Sequence, residues 1–549
     1  MIGIIANPAA DLVVREFFEL FKTPWEYYRS DRHYEVVLCV GDAKLDSVSA
    51  SLIIHYADRK TSVDEVRKIR IQSARNDSVI SYGRKRLPLV GHNVTIHPQR
   101  TVGDNSSESV TYFSRSGKQA FVRVGYDLFY EVRVLLTQGQ SPPNAGIPTL
   151  DLHIALLRHL IAACGITLVE IPPIPDKYPF MACLTHDVDH AFIRRHKLDR
   201  TMSGFLYRAI FGSAVNLVRG RIAFPALLMN WAAAAKLPFV YLGLARDFWN
   251  DFDRYLAIDK GKPSTFFVIP FENHAGNTFQ GLAPPLRACR YDVSHLAKKI
   301  PGLIAAGCEV GVHGIDAWMD SSKGREEALR VSEVSGTQRI GVRMHWLYFS
   351  ADSPSHLDEA GFLYDSTFGY NETVGYRAGT TQIFKPLQAK RMLELPLHVM
   401  DTALFSPGRM KLSPIEAWEK LVPILENTER NGGVITINWH DRSIAPERLW
   451  GNFYIRLLDW IDMRGPWFST AAQAVDWFRR RRAVTFEEIE REGDSIHLKV
   501  SVPRDESLPP MRLRVYNPSV PSQLGEPDFG NGFGYRDYSL SGDLDFRSP

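Results

Sequence analysis

Between about residues 178 and 480, short apolar runs that stop on polar residues alternate with longer stretches of helical period. Phe180–Thr185, Ser264–Ile269, Glu309–His313, Gly341–Arg343, Leu393–Leu397 and Val434–Trp439 read as strands. They are short and bounded by polar or turn-forming residues. Val293–Ala306 and Ile415–Glu426 carry apolar residues at helical spacing and predict helices between them. Strands alternating with helices imply an α/β fold with a parallel sheet, open or closed.

The flanks have a different texture. Residues 1–175 mix strand-like runs (Tyr34–Val40, Ser51–Tyr56, Ala120–Tyr126) with polar turns and end in an apolar-periodic helix, Leu150–Cys164. This predicts an N-terminal accessory α+β region, joined by Pro172-Pro-Ile-Pro175 as a linker to a domain over 176–482. Within that domain, about 190–262 reads as a helical insertion. Residues 483–549 lose the helical period and predict a small β-rich appendage with a loose tail, rich in Gly, Asp and Ser after Pro518.

A chain of 549 residues exceeds one hydrophobic core, so several domains are expected. Its 45% hydrophobic and 23% charged content is an ordinary globular balance, and a net charge of +3 gives no argument for nucleic acid. The basic run Arg479–Arg482 reads as a solvated face. Five scattered cysteines without CxxC spacing look like buried small hydrophobes in a reducing compartment. The first residues lack a basic segment followed by a long apolar one, and the expected location is cytoplasmic. Between Ala223 and Ala245 the only strongly polar residues are Asn230 and Lys236. Pro225 and Pro238 are expected to break a membrane span, which leaves a helical lid or a peripheral membrane contact through 205–245.

Chemistry concentrates at the ends of the predicted strands. Phe180–Thr185 runs into His186-Asp187-Val188-Asp189-His190, and buried charge at a strand end must be paired or bind metal. Glu309–His313 ends on an imidazole. Gly341-Val-Arg343-Met-His345-Trp346 sets a guanidinium and an imidazole together, and the Val434–Trp439 run ends on His440-Asp441. Strand ends of one α/β sheet converge in space, so these residues are candidates for a single site. Trp318, Trp346 and Trp439 could stack on sugar rings or simply pack in the core.

In order and spacing these segments resemble the polysaccharide deacetylases of the NodB-homology type, metal-dependent amidases on a distorted (β/α) barrel. The resemblance covers roughly residues 178 to 480. It rests on Thr185-His-Asp187-Val-Asp189, His313, Arg343, Gly361-Phe-Leu-Tyr-Asp365-Ser-Thr and Trp439-His440. It implies that Asp187 is the general base, Asp189 and His313 are metal ligands, Arg343 orients the base and His440 is the general acid. Leu393-Glu-Leu-Pro-Leu-His398 and Gly375-Tyr-Arg-Ala-Gly-Thr380 are similar to a subgroup from bacterial surface-polysaccharide gene clusters. The implied substrate is an N-acetylated sugar or glycan, and the implied cofactor a divalent metal: zinc, with cobalt or nickel as alternatives.

One departure bears on the metal. The family supplies a second histidine four residues after the first, and here that position is Ala317. Two protein ligands are too few for a catalytic zinc, which usually has three plus water. His345 is the favoured replacement, with Asp316, His186 and His190 as alternatives. A catalytically inactive relative that holds a glycan is the other reading.

Overall fold

The computed structural model describes residues 1–549 except 44, 46, 77, 83, 84, 97–109, 446, 493, 494, 504, 518–533, 541–543, 548 and 549. Most of the expected loose tail lies outside the described residues. The chain divides into two compact units. The first comprises Met1–Lys177, Tyr376–Leu387 and Asp476–Pro549, and the second Tyr178–Gly375 and Gln388–Val475.

In the first unit, Trp25–Tyr27, Ile2–Ile5, Tyr34–Val40, Ala50–Tyr56 and Gln119–Val124 form a parallel sheet in that order, with Thr111–Ser116 antiparallel at one edge. Tyr34–Val40 and Ala50–Tyr56 are buried almost throughout, as continuous apolar runs in a parallel sheet are. The helix Thr149–Ala163 occupies the expected apolar-periodic stretch. From the C-terminal segment, Met511–Tyr516 pairs antiparallel with Leu168–Glu170 and with Tyr535–Leu540. The run Arg479–Arg482 is not the solvated face expected. Arg481 is buried and donates to the carbonyls of Glu19, Leu20 and Ile171, while Arg482 pairs with Glu16 at 2.8 Å. Main-chain carbonyls around residue 20 and Ile171 take up the Arg481 guanidinium, and a carboxylate takes up that of Arg482.

The second unit holds the alternating region. Its parallel strands run in the order Leu393–Glu394, Tyr364–Asp365, Val342–Met344, Glu309–Gly314, Ser264–Val268, Met181–Val188, Val434–Asn438 and Val399–Met400, with Trp467–Phe468 added beside Met181–Val188. Chain connectivity shows that this sheet is curled. Seven strand spacings in a flat sheet span ~34 Å. The two edge strands are nevertheless consecutive in sequence, and the stretch from Glu394 to Val399 reaches at most ~18 Å. The edges are therefore drawn toward each other, and the unit is a curled parallel sheet with helices, a distorted (β/α) half-barrel.

Local differences from the sequence reading have physical causes. The first strand continues past Thr185 to Val188, because His186, Asp187 and Val188 pair with Phe266, Phe267 and Val268. Neighbouring backbone thus carries the strand through Asp187, and Asp189 follows just past its end. Val293–Ala306 is broken into a short 3₁₀ turn, Val293–Leu296, and a helix, Ile300–Ala305, with Pro301 in the latter's first turn. The insertion is helical: Arg200–Leu206, a π-helical stretch Tyr207–Gly212, Ser213–Val218, Phe224–Tyr241 and Phe252–Asp259. Neither proline breaks its longest helix. Pro225 sits in the first turn, where no N–H is needed, and Pro238 lies one turn from the end. No helix among the described residues is long and apolar enough to cross a membrane.

Candidate metal and catalytic site

The parallel register brings the strand ends to one place. His313 is aligned with Arg343, and Thr185 with Asn438. Asp187, His313 and Arg343 are buried, and His345 follows the Val342–Met344 strand directly in a short 3₁₀ turn. Asp189, half-buried, stands just past the end of Met181–Val188.

Asp189, His313 and His345 each offer one ligand atom, and these atoms lie within 4.8 Å of one another. His313 Nε2 is 3.2 Å from Asp189 Oδ1, and His345 Nε2 is 3.6 Å from the same oxygen. The other nitrogen of His313, Nδ1, is 2.9 Å from the Arg343 carbonyl, which can only accept. A neutral His313 therefore keeps its one proton on Nδ1 and turns a lone pair toward the carboxylate. Asp189 Oδ1 is buried without a hydrogen-bond donor. Two lone pairs facing each other across 3.2 Å require a cation, or an extra proton, between them. Burial pushes the His345 imidazole down to about 3, so it too is an electron-pair donor at neutral pH. One carboxylate and two imidazoles are the donor set of a catalytic zinc site with an open position. The residues fit a divalent metal.

Next to this cluster stands Asp187. Its Oδ1 accepts from Arg343 Nη1 at 2.9 Å and its Oδ2 from Asn438 Nδ2 at 2.7 Å. Burial alone would raise this carboxyl, but the Arg343 guanidinium, with His313 and His440, outweighs it and holds it below the usual carboxylate range. Arg343 is itself fixed from four directions: its Nε and Nη2 donate to the Ser366 carbonyl and hydroxyl, and its Nη1 also donates to Thr185 Oγ1 at 2.7 Å. Its guanidinium lies 4.5 Å from the centre of the Phe267 ring.

On the other side of Asp189, His440 Nε2 is 3.9 Å from Oδ2. His440 Nδ1 is bound to Asp401 Oδ1 at 2.6 Å, and the Asp401 carboxylate also accepts the His440 N–H at 2.8 Å. Burial opposes charge on this imidazole, yet Asp401, Asp189 and Asp187 raise it to about 9. Its Nε2 therefore carries a proton at neutral pH and points it toward the carboxylate cluster.

The alternative ligands lie elsewhere. His186 points to the opposite face, between the Trp439 carbonyl and Asp259. His190 faces His196 at 3.2 Å, which in turn contacts Asp199 at 2.8 Å. Asp316 accepts from the Asn277 N–H at 2.7 Å and from its amide at 3.0 Å. Ala317 is fully buried against the helix Ser321–Ser335: a side-chain carbon on Gly324 would lie 3.3 Å from the Ala317 Cβ and 2.7 Å from that of Ala360. Position 317 thus faces helix packing. Of the three tryptophans, Trp439 is buried in a stack with Phe453 and Tyr454, and Trp318 is 4% exposed, while Trp346 is 37% exposed. Trp346 alone of these presents a ring to solvent beside the cluster, 5.9 Å from His345.

Three supporting residues escaped the sequence reading. Asn438 donates to Asp187, and Asp401 holds His440, as described. Buried Arg287 donates to the carbonyls of His345 (2.9 Å) and Ile315 (3.0 Å). It braces a turn in which Trp346 and Leu347 adopt left-handed backbone, φ 63° and 52°, a conformation that costs roughly 1–3 kcal/mol for a side-chain-bearing residue. Only the general need of a catalytic imidazole for a carboxylate partner hinted at Asp401, and no local pattern marks the other two.

No family model and no curated protein matches the chain. Among solved structures it is similar to a chain described as a polysaccharide deacetylase from Mycobacterium smegmatis, at 20% identity and a TM-score of 0.35, covering 59% of this chain and 99% of that one. An allantoinase aligns at 16% identity over 56% of this chain and 92% of its own, with a TM-score of 0.34. A chain described as a polysaccharide deacetylase from Pseudomonas aeruginosa aligns at 15% over 55% of this chain and 92% of its own, also at 0.34. The fold class rests on the sheet order and its closure.

Proposed function

We propose that the protein is a metal-dependent hydrolase that removes an N-acyl group, in the first instance N-acetyl, from an amino sugar in a glycan. The observation that carries this reading is the orphaned Asp189 Oδ1, which faces the Nε2 atoms of His313 and His345 at 3.2 and 3.6 Å.

A divalent cation held by Asp189, His313 and His345 would supply Lewis acidity toward an amide carbonyl and a water. Zinc suits this donor set, and cobalt and nickel can occupy it. The chain's own residues do the proton work. Asp187, held ionised by Arg343, accepts the proton of the water whose oxygen attacks the acyl carbon. Asn438 and Arg343 occupy both its oxygens from the side and fix its rotamer. His440 gives its Nε2 proton to the sugar nitrogen as the C–N bond breaks, so an amine rather than an amide anion departs. Asp401 keeps that proton available up to about pH 9 and sets the tautomer. The products are acetate and a free amino sugar.

Metal content of the purified protein beside His313→Ala and His345→Ala tests the reading, together with acetate release from N-acetylglucosamine oligomers. About one ion per chain, lost in both variants, is the expected result. Protein that takes up no zinc, cobalt or nickel would refute it and favour the inactive, glycan-holding relative that Ala317 motivates.

A further inference from the structure

The insertion between Asp189 and the Ser264–Val268 strand exposes apolar side chains on helices that already bury apolar side chains. On Phe224–Tyr241 the inner face is Leu227, Leu237 and Val240 with Asn230, all buried. The opposite stripe is apolar too: Phe224 is 58% exposed, Leu228 49%, Trp231 46% and Phe239 54%. Phe211, on the preceding helical stretch, is 66% exposed. A helix apolar on both faces is stable in water only where something covers its outer face.

Charge identifies the cover. From Arg200 to Arg246 the chain has six cations (Arg200, Arg208, Arg219, Arg221, Lys236 and Arg246) and neither aspartate nor glutamate. Arg219, Arg221 and Lys236 are exposed beside the apolar stripe. A second copy meeting this face about a two-fold axis would oppose cation to cation, with no acid in the segment to pair them. Exposed aromatics interleaved with long cationic side chains are the combination that settles at an anionic lipid interface, rings at headgroup depth and charges at the phosphates.

We infer that the insertion docks the protein on an anionic bilayer. Its inner side packs on Ile193, Trp249 and Ala445. Ile193 and Ala445 lie four residues after Asp189 and five after His440. The docking surface is therefore mounted on the segments that leave the catalytic cluster. The substrate would accordingly be an amino sugar carried at that surface on a lipid; this clause rests on the deacetylase reading, and the docking does not.

Co-sedimentation of the full chain with phosphatidylcholine vesicles, with and without phosphatidylglycerol, tests the inference at low and high salt. Binding is expected only with the anionic lipid and is weakened by salt. Arg219→Glu/Arg221→Glu lowers apparent affinity roughly tenfold or more, and Phe224→Ser/Leu228→Ser/Phe239→Ser abolishes sedimentation. His345→Ala, which should lose metal, binds vesicles as the parent does, so the two readings fail separately. Equal binding to both vesicle types, or none to either, overturns the inference. So does a lipid-free dimer that the triple serine variant dissociates, since a second copy is then the cover.

Discussion

Arg343 and Asp187 form an ion pair at 2.9 Å in which neither side chain has appreciable contact with solvent. A buried pair of this kind adds little net stability when whole, but removing one partner leaves an uncompensated charge. Arg343→Met is expected to cost about 3–5 kcal/mol, read as a lower melting temperature. It also removes the main influence that keeps the Asp187 carboxyl low. With a general base, activity appears as pH rises through its pKa, so the acidic limb of the rate profile moves to higher pH. An unmoved limb would dissociate Asp187 from the base role.

Asp187→Asn keeps the shape but accepts from only one of the two donors, Arg343 and Asn438, and cannot take the water proton. Turnover should fall by about 10²-fold or more while bound metal stays at the parent level. Metal analysis and acetate release on the same preparation separate these effects. Retained turnover removes Asp187 from the mechanism.

For His440 the sign is the reverse. Its raised pKa, about 9, keeps the acid protonated at lower pH, and activity is lost as pH rises through that value. A cation at Asp189 cancels part of the negative field, so the holoenzyme limb falls at or below about 9. Asp401→Asn removes the largest raising influence and should draw the alkaline limb to lower pH, with turnover at alkaline pH down roughly tenfold or more. An unchanged limb would mean that another group sets it.

His345→Ala removes a proposed metal ligand that sits in a 3₁₀ turn rather than in a strand. Occupancy under equilibrium dialysis should fall well below one ion per chain, with the fold intact by circular dichroism. Arg287→Met, which frees the His345 carbonyl, is expected to weaken metal binding roughly tenfold or more without emptying the site, as loss of a hydrogen bond that orients a ligand does. Undiminished metal in His345→Ala would leave Asp189 and His313 to be completed by some other group.

The sheet was legible because its strands are short, dense in apolar residues and end abruptly on charge, as Met181–Val188 and Glu309–Gly314 do. The first acids, the strand-end histidines and Arg343 could be read for the same reason: charge at the end of an apolar run is visible locally. What could not be read depends on closure. Asp401 stands 39 residues before His440 and meets it only because Val399–Met400 pairs with Val434–Asn438. Asn438 is an unremarkable amide until Asp187 is set beside it. Arg287 supports a turn whose left-handed residues, Trp346 and Leu347, are not types that announce such backbone. The solvated reading of Arg481 failed because a charge run says nothing of the carbonyls waiting for it.

Ala317 has a consequence for how a metal site in this chain can be recognised. Its side chain is enclosed where Gly324 and Ala360 approach, so an imidazole there would need those neighbours to move as well. Ala317→His alone is expected to press on the helix Ser321–Ser335 rather than supply a ligand beside Asp189, so bound metal should not rise in that variant. A test for two histidines four residues apart therefore reads a position that in this chain faces helix packing and not the Asp189–His313–His345 cluster. The second imidazole within reach of Asp189 Oδ1 comes instead from His345, two residues after Arg343, so a donor set of this kind is recognised by what meets in space rather than by spacing along the chain.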